Sequence, residues 1–165
     1  MRKKILFLAG MMACSSLAGA QEISKTWVAD KGNGTYQNPV LHADYSDPDI
    51  CAAGDDFYMT ASSFNCIPGI PILHSNDLVN WSLVNYALPV QEPESFFDKA
   101  QHGKGVWAPA IRFHNGEFYI YWGDPDYGIY MIKTKDPKGK WSKPVLVKAG
   151  KGMIDATPLW DEDGK

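Results

Sequence analysis

Beyond its first twenty residues, the basic residues of this chain form no cluster. Sixteen Lys and Arg are outnumbered by nineteen Asp and Glu, for a formal net charge of −3. A mildly acidic chain without a positive patch has no electrostatic footprint for nucleic acid or for an anionic membrane, so neither is an expected partner. Cysteine is scarce, with three in 165 residues. No Cys/His set has zinc spacing, and no glycine loop has the form that cradles phosphates. No stretch carries a long 3.6-residue apolar period, which argues against a helical domain. The longest apolar run, Ile5 to Ala13, is too short to span a bilayer.

That run instead belongs to an export signal. Arg2-Lys3-Lys4 is a positive n-region, Ile5 to Ala13 the apolar core, and Ala18-Gly19-Ala20 a small-residue cleavage site, in the right order. Residues 1–20 therefore read as a signal peptide, and the mature chain as exported, periplasmic or extracellular. Cys14 offers the alternative of a lipoprotein, although Met11-Met12-Ala13 before it fit a lipid-attachment signal poorly. Export permits a disulfide between the two remaining cysteines, Cys51 and Cys66. The apolar surroundings of Cys51 favour two free, buried thiols instead.

Residues 21–36 are a polar lead-in with few large apolar side chains. Beyond them, short β-rich runs recur: Ile50–Ala53, Phe57–Ala61, Ile70–His74, Trp81–Tyr86, Ala110–Phe113, Phe118–Trp122, Ile129–Lys133 and Val145–Lys148. Turn residues separate them, among them Gly54-Asp55-Asp56, Asn115-Gly116 and Lys138-Gly139. Short strands punctuated this often predict an all-β fold.

The runs also repeat. Pro48-Asp49-Ile50, Gly54 and Phe57-Tyr58-Met59 recur as Pro109-Ala110-Ile111, Gly116 and Phe118-Tyr119-Ile120. Leu73-His74-Ser75-Asn76-Asp77 with Trp81-Ser82 answers Ile132-Lys133-Thr134-Lys135-Asp136 with Trp141-Ser142. A third copy begins at Thr157-Pro158-Leu159-Trp160. Each unit holds four strands, the outer one starting at its Trp, and a four-stranded repeat is a propeller blade. Propellers close with about four to eight blades, and about two and a half are present here. The chain ends in a predicted hairpin turn, so 37–165 reads as the N-terminal part of a longer propeller. A small two-sheet β protein is the alternative.

Asn38 to Ile50 carries three acids, Asp44, Asp47 and Asp49. Pro48 biases Asp47 to extended backbone at the mouth of a strand. Most Asp-Pro turns do nothing further. The repeat singles out Asp47, because it stands where the inner strand opens. Ala108 holds that place in the second unit, and an acid, Asp155, returns in the third. Two carboxylates converging from separate blades suit glycoside hydrolysis. Spacing alone leaves open whether Asp155 instead caps a turn through Thr157. Asp124-Pro125-Asp126 reads as a plain turn before a metal or substrate loop. His42, His74, His102 and His114 are scattered singly. Six Trp, eight Tyr and seven Phe suit sugar stacking and an all-β core equally.

The chain resembles glycoside hydrolase family 43, over residues 37–165. The resemblance rests on Asn38-Pro39, Asp47-Pro48, Gly54-Asp55-Asp56-Phe57-Tyr58, Ser62-Ser63-Phe64, Ile67-Pro68-Gly69, and His74-Ser75 with Asp77-Leu78 and Trp81. It continues in Gly105-Val106-Trp107-Ala108-Pro109 and in Ile154-Asp155 before Pro158-Leu159-Trp160. It implies a five-bladed β-propeller enzyme acting on xylo- or arabino-oligosaccharides, of the β-xylosidase and α-L-arabinofuranosidase kind. It implies Asp47 as general base of an inverting mechanism, with the catalytic carboxyls about 6.5–9.5 Å apart. Asp155 corresponds to the acid that orients the general acid and raises its pKa, since a nearby carboxylate disfavours a second negative charge. Phe64 and Trp107 correspond to aromatic walls of the sugar pocket. The family's general acid is a glutamate on a later blade, beyond this chain; Glu92, Glu94, Glu117 and Glu162 read as surface charges. Of cofactors, the resemblance leaves open only a structural calcium in the full-length protein. A non-catalytic sugar-binding propeller and a retaining enzyme with Asp47 as nucleophile are the alternatives.

Overall fold

The computed structural model describes residues 26–164. The signal peptide (1–20) and the first part of the lead-in lie outside the described residues. Eight strands form in chain order: β1 (Asp49–Ala53), β2 (Asp56–Thr60), β3 (Gly69–Ser75), β4 (Ser82–Leu88), β5 (Trp107–His114), β6 (Glu117–Asp124), β7 (Gly128–Thr134) and β8 (Val145–Ala149). One short helix, α1 (Glu94–Phe97), sits in the connection between β4 and β5. The strands make two separate four-stranded sheets, β1-β2-β3-β4 and β5-β6-β7-β8, antiparallel throughout. Each sheet is one sequence repeat, folded as a meander.

One apolar core spans both sheets. Tyr58, Ile70, Ile72 and Leu88 of the first sheet pack with Ile111, Phe118, Ile120, Trp122 and Ile132 of the second. Removing each such aliphatic side chain from water contributes about 1.5–3 kcal/mol, which is what holds two otherwise independent sheets together. A polar link crosses the same seam. Arg112 Nη1 donates to Asp49 Oδ2 (2.5 Å), which also accepts the Ile111 N–H (2.7 Å). Asp49 is thereby committed to joining β1 to β5.

The repeat extends to side-chain roles. Ser75 Oγ and Thr134 Oγ1 accept the N–H two residues on, at Asp77 and Asp136. Trp81 and Trp141 do not start the outer strands, as their position in the repeat suggested. They precede β4 and β8, and each indole N–H donates to a loop carbonyl, Leu78 O or Pro137 O. Both rings anchor the turn between third and fourth strands.

The lead-in is docked from Thr26 onward. Asp30 bridges to Tyr36, Asn80 Nδ2 donates to Asp30 Oδ2, and Trp27 Nε1 donates to Pro39 O. After Ala149 the third repeat forms no strand among the described residues, and Leu159 is 87% exposed. It still packs on the second sheet: Trp160 stacks on His114 at 4.4 Å, and Arg112 Nη2 donates to Thr157 Oγ1. Both cysteines among the described residues, Cys51 and Cys66, are free. Cys51 is half-buried, but Cys66 is exposed, against the expectation of two buried thiols, because it falls in the irregular β2–β3 connection. Burial pushes the Cys51 thiol up to about 12, with the Asp49 charge adding to it and Arg112 opposing.

Candidate active site

Asp47 departs from the expected backbone. Its φ is +50°, in the left-handed region, although Pro48 follows it. Local sterics favour an extended residue before proline, but tertiary bonds override them here. Ser62 N–H donates to Ser46 O (3.0 Å), drawing the chain before β1 across the end of β2. Asp tolerates the left-handed region better than most residues.

The carboxylate is exposed and held at one oxygen. Ser62 Oγ (2.7 Å) and Ser46 Oγ (3.1 Å) both donate to Asp47 Oδ2. No hydrogen bond to Oδ1 forms among the described residues. Ser62 Oγ also accepts the Ala108 N–H (2.9 Å). The same hydroxyl therefore fixes the openings of β1 and β5. Ala108 too has positive φ, +36°, with Pro109 after it.

Phe64 is half-buried in a cavity of about 260 Å³, lined also by Asp44, Ser46 and Ser62. Its carbonyl accepts the Gly105 N–H (2.7 Å). A Cβ on Gly105 would overlap the Ser63 and Phe64 carbonyl oxygens, so only glycine permits this close approach. Trp107, half-buried at the start of β5, donates its indole N–H to Gly103 O (2.6 Å). It pairs with Gly123 across the ladder, and the Gly123 Cα in turn meets the Met153–Ile154 backbone just before Asp155.

Asp47, Phe64, Trp107 and Asp155 thus gather at one end of the sheets, linked through Ser62, Ala108 and Gly123. Asp155 is exposed, with φ +54°, and makes no side-chain hydrogen bond among the described residues. Thr157, its suggested turn-cap partner, is engaged by Arg112 instead. Two of the other acids, Glu117 and Asp124, have structural partners. Glu117 accepts from Tyr119 Oη and Lys133 Nζ. Asp124 Oδ1 accepts the N–H groups of Asp126 and Tyr127, closing a turn. Among the described residues no group of three His, Cys, Asp or Glu side chains is placed to hold a metal ion, so the calcium left open above finds no holding set there. No helix among them is long and apolar enough to cross a membrane.

Sequence reasoning did not find Ser62 or the Arg112–Asp49 link. Ser62 stands one residue past the second strand's last alternation, where a hydroxyl has no core role. Arg112 is a charge inside an inner strand, which needs a partner. Both were signals of a kind, although neither names its partner.

Two four-stranded antiparallel sheets, each one sequence repeat, define a class: all-β proteins built from the four-stranded unit of a propeller. The profile of Glycosyl hydrolases family 43 matches residues 36–165, and the chain belongs to that family. It is 36% identical to a β-xylosidase of Formosa agariphila, over 96% of this chain and 29% of that protein. It is 39% identical to a non-reducing-end α-L-arabinofuranosidase of Bacteroides ovatus, over 68% of this chain and 22% of that protein. The crystal structure of a family 43 protein from Bacillus licheniformis superposes with a TM-score of 0.67 at 34% identity, covering 78% of this chain and 27% of that one. The chain spans less than a third of the length of these relatives.

Proposed function

We propose that the complete protein is an exported glycoside hydrolase that cleaves xylo- or arabino-oligosaccharides by inversion, on a propeller closing with five blades. Asp47 is its general base, and Asp155 orients and tunes a general acid supplied by a later blade. The observation that carries this reading is the exposed Asp47 carboxylate just before β1, with Oδ2 gripped by two serine hydroxyls and no bond to Oδ1 among the described residues. Two donors at one oxygen keep the group aimed, as a base that activates water requires. Phe64 and Trp107 supply the apolar walls against which a pentose ring stacks. The named relatives act on xylosides and arabinofuranosides, which supports the substrate class.

The test is turnover of an aryl β-xyloside and an aryl α-L-arabinofuranoside by the complete protein, with Asp47→Ala as control. At least one substrate should be hydrolysed, and the variant should lose about 10³-fold in kcat, the usual worth of a positioned general base. Unchanged activity in Asp47→Ala would overturn the base assignment. Sugar binding without turnover in the unaltered protein would favour a carbohydrate-binding propeller. The 165-residue segment alone, without the later acid, should show no turnover.

A further inference from the structure

At the first seam, between the two sheets, the β2–β3 connection clamps the chain that leads into β5. Ser63 and Val106 exchange both backbone hydrogen bonds, N to O at 3.0 and 3.1 Å, and Gly105 N–H donates to Phe64 O. The next seam repeats this device with different residues. There the β6–β7 turn, Asp124-Pro125-Asp126-Tyr127, clamps the chain that leads to Asp155. Gly152 N–H donates to Pro125 O (2.8 Å) and Gly150 N–H to Tyr127 O (3.0 Å). The close glycine has changed sides: a Cβ on Gly123 would stand 2.5 Å from Met153 O and 2.7 Å from Ile154 Cα.

The clamp is shaped by Asp124. Only 4% exposed, it turns its Oδ1 onto the Asp126 and Tyr127 N–H groups (2.9 and 3.0 Å), which sets where the Pro125 and Tyr127 carbonyls point. Burial pushes its carboxyl up from the ordinary aspartate range, and the two N–H donors pull it part of the way back. A buried carboxylate is costly to keep unless its bonds serve something. Asp155 has no side-chain bond among the described residues to fix it, so its position comes from the backbone on either side. Arg112 to Thr157 holds the far side, and the Asp124 turn holds the near side.

We propose that Asp124 is a positioning residue for Asp155, acting through the Pro125 and Tyr127 carbonyls on Gly150–Ile154. This rests on the reading of Asp155 as the group that raises the general acid's pKa. A misplaced Asp155 would then lower that pKa and bring the basic limb of the pH–rate profile to lower pH.

The experiment compares Asp155→Asn, Asp124→Ala, Asp124→Asn and Gly123→Ala in the complete protein, by kcat, KM and the pH dependence of kcat/KM on an aryl glycoside. Asp155→Asn should move the basic limb down. Asp124→Ala should move it the same way and lower kcat about 10-fold with little change in KM, since a small displacement of a catalytic group is expensive. Asp124→Asn keeps the Oδ1 acceptor and should restore the profile. If Asp124→Ala does not fold, Gly123→Ala decides, pressing on Met153–Ile154 with Asp124 intact, and should move the limb in the same direction. A shift in Asp155→Asn with none in Asp124→Ala or Gly123→Ala would overturn the positioning role alone, as would failure of Asp124→Asn to rescue. No shift in Asp155→Asn would overturn the reading of Asp155 and this inference with it.

Discussion

The openings of β1 and β5 share a backbone and differ in a side chain. Asp47 and Ala108 each precede a proline, each has positive φ, and each bonds to the same Ser62 hydroxyl, one through its carboxylate and one through its N–H. Only Asp47 carries a carboxylate there. The left-handed turn therefore belongs to the seam between blades and not to catalysis, since a methyl group occupies it as readily as a carboxylate. Strained backbone alone would have pointed to Ala108 as strongly as to Asp47. What separates them is the acid and the pair of hydroxyls around it.

Four checks break or sharpen that comparison. The largest effect is expected from Asp47→Ala, about 10³-fold in kcat or roughly 4 kcal/mol of transition-state stabilisation. Circular dichroism should show the fold retained, because Ala108 demonstrates that alanine fits this backbone. Ser62→Ala should follow, with kcat/KM falling about 10-fold as the carboxylate loses its shortest donor, and with a stability loss of about 1 kcal/mol from the freed Ala108 N–H, read by urea unfolding. The Asp49–Arg112 link between the same two strands is half-exposed, so a double-mutant cycle of Asp49→Ala and Arg112→Ala should give a coupling of about 1 kcal/mol. The smallest effect has the opposite sign. Ala108→Gly should stabilise the protein by about 0.5 kcal/mol, because glycine adopts positive φ without the Cβ penalty while adding some freedom to the unfolded chain. Destabilisation there would mean that the Ala108 methyl packs usefully and that the two openings are less alike than their backbones suggest.

The cysteines give a fifth check of a similar contrast. With burial raising the Cys51 thiol to about 12, it stays protonated near neutral pH. Cys66, exposed in a loop, should be alkylated by iodoacetamide at pH 8 at least about 10-fold faster, as mass spectrometry of tryptic peptides would report.

The strands were legible in the sequence because each carries β-rich residues closed by Gly, Asn or Asp at a turn. All eight form within a residue or three of where the runs predict them. The repeat was legible for the same reason, down to Ser75 and Thr134 holding equivalent turns. What escaped was non-local. Proline sterics predicted an extended Asp47, and only the pull of Ser62, fifteen residues on in sequence, turns it left-handed. Nothing near Arg112 says that its partner is Asp49, sixty-three residues away. Trp81 and Trp141 looked like strand starts because they are large and periodic, whereas their indole N–H groups make them loop anchors. Asp124 looked like an ordinary turn aspartate, and it is one. Its interest comes from the glycine-bearing segment packed against that turn.

The central claim is that Asp47 activates a water and does not attack the sugar itself. Proton NMR of the first-formed product from an aryl β-xyloside, or an aryl α-L-arabinofuranoside, tests it directly. Inversion predicts that the released pentose first appears as the opposite anomer and then mutarotates. Release with the starting configuration retained would make Asp47 a nucleophile and contradict the account.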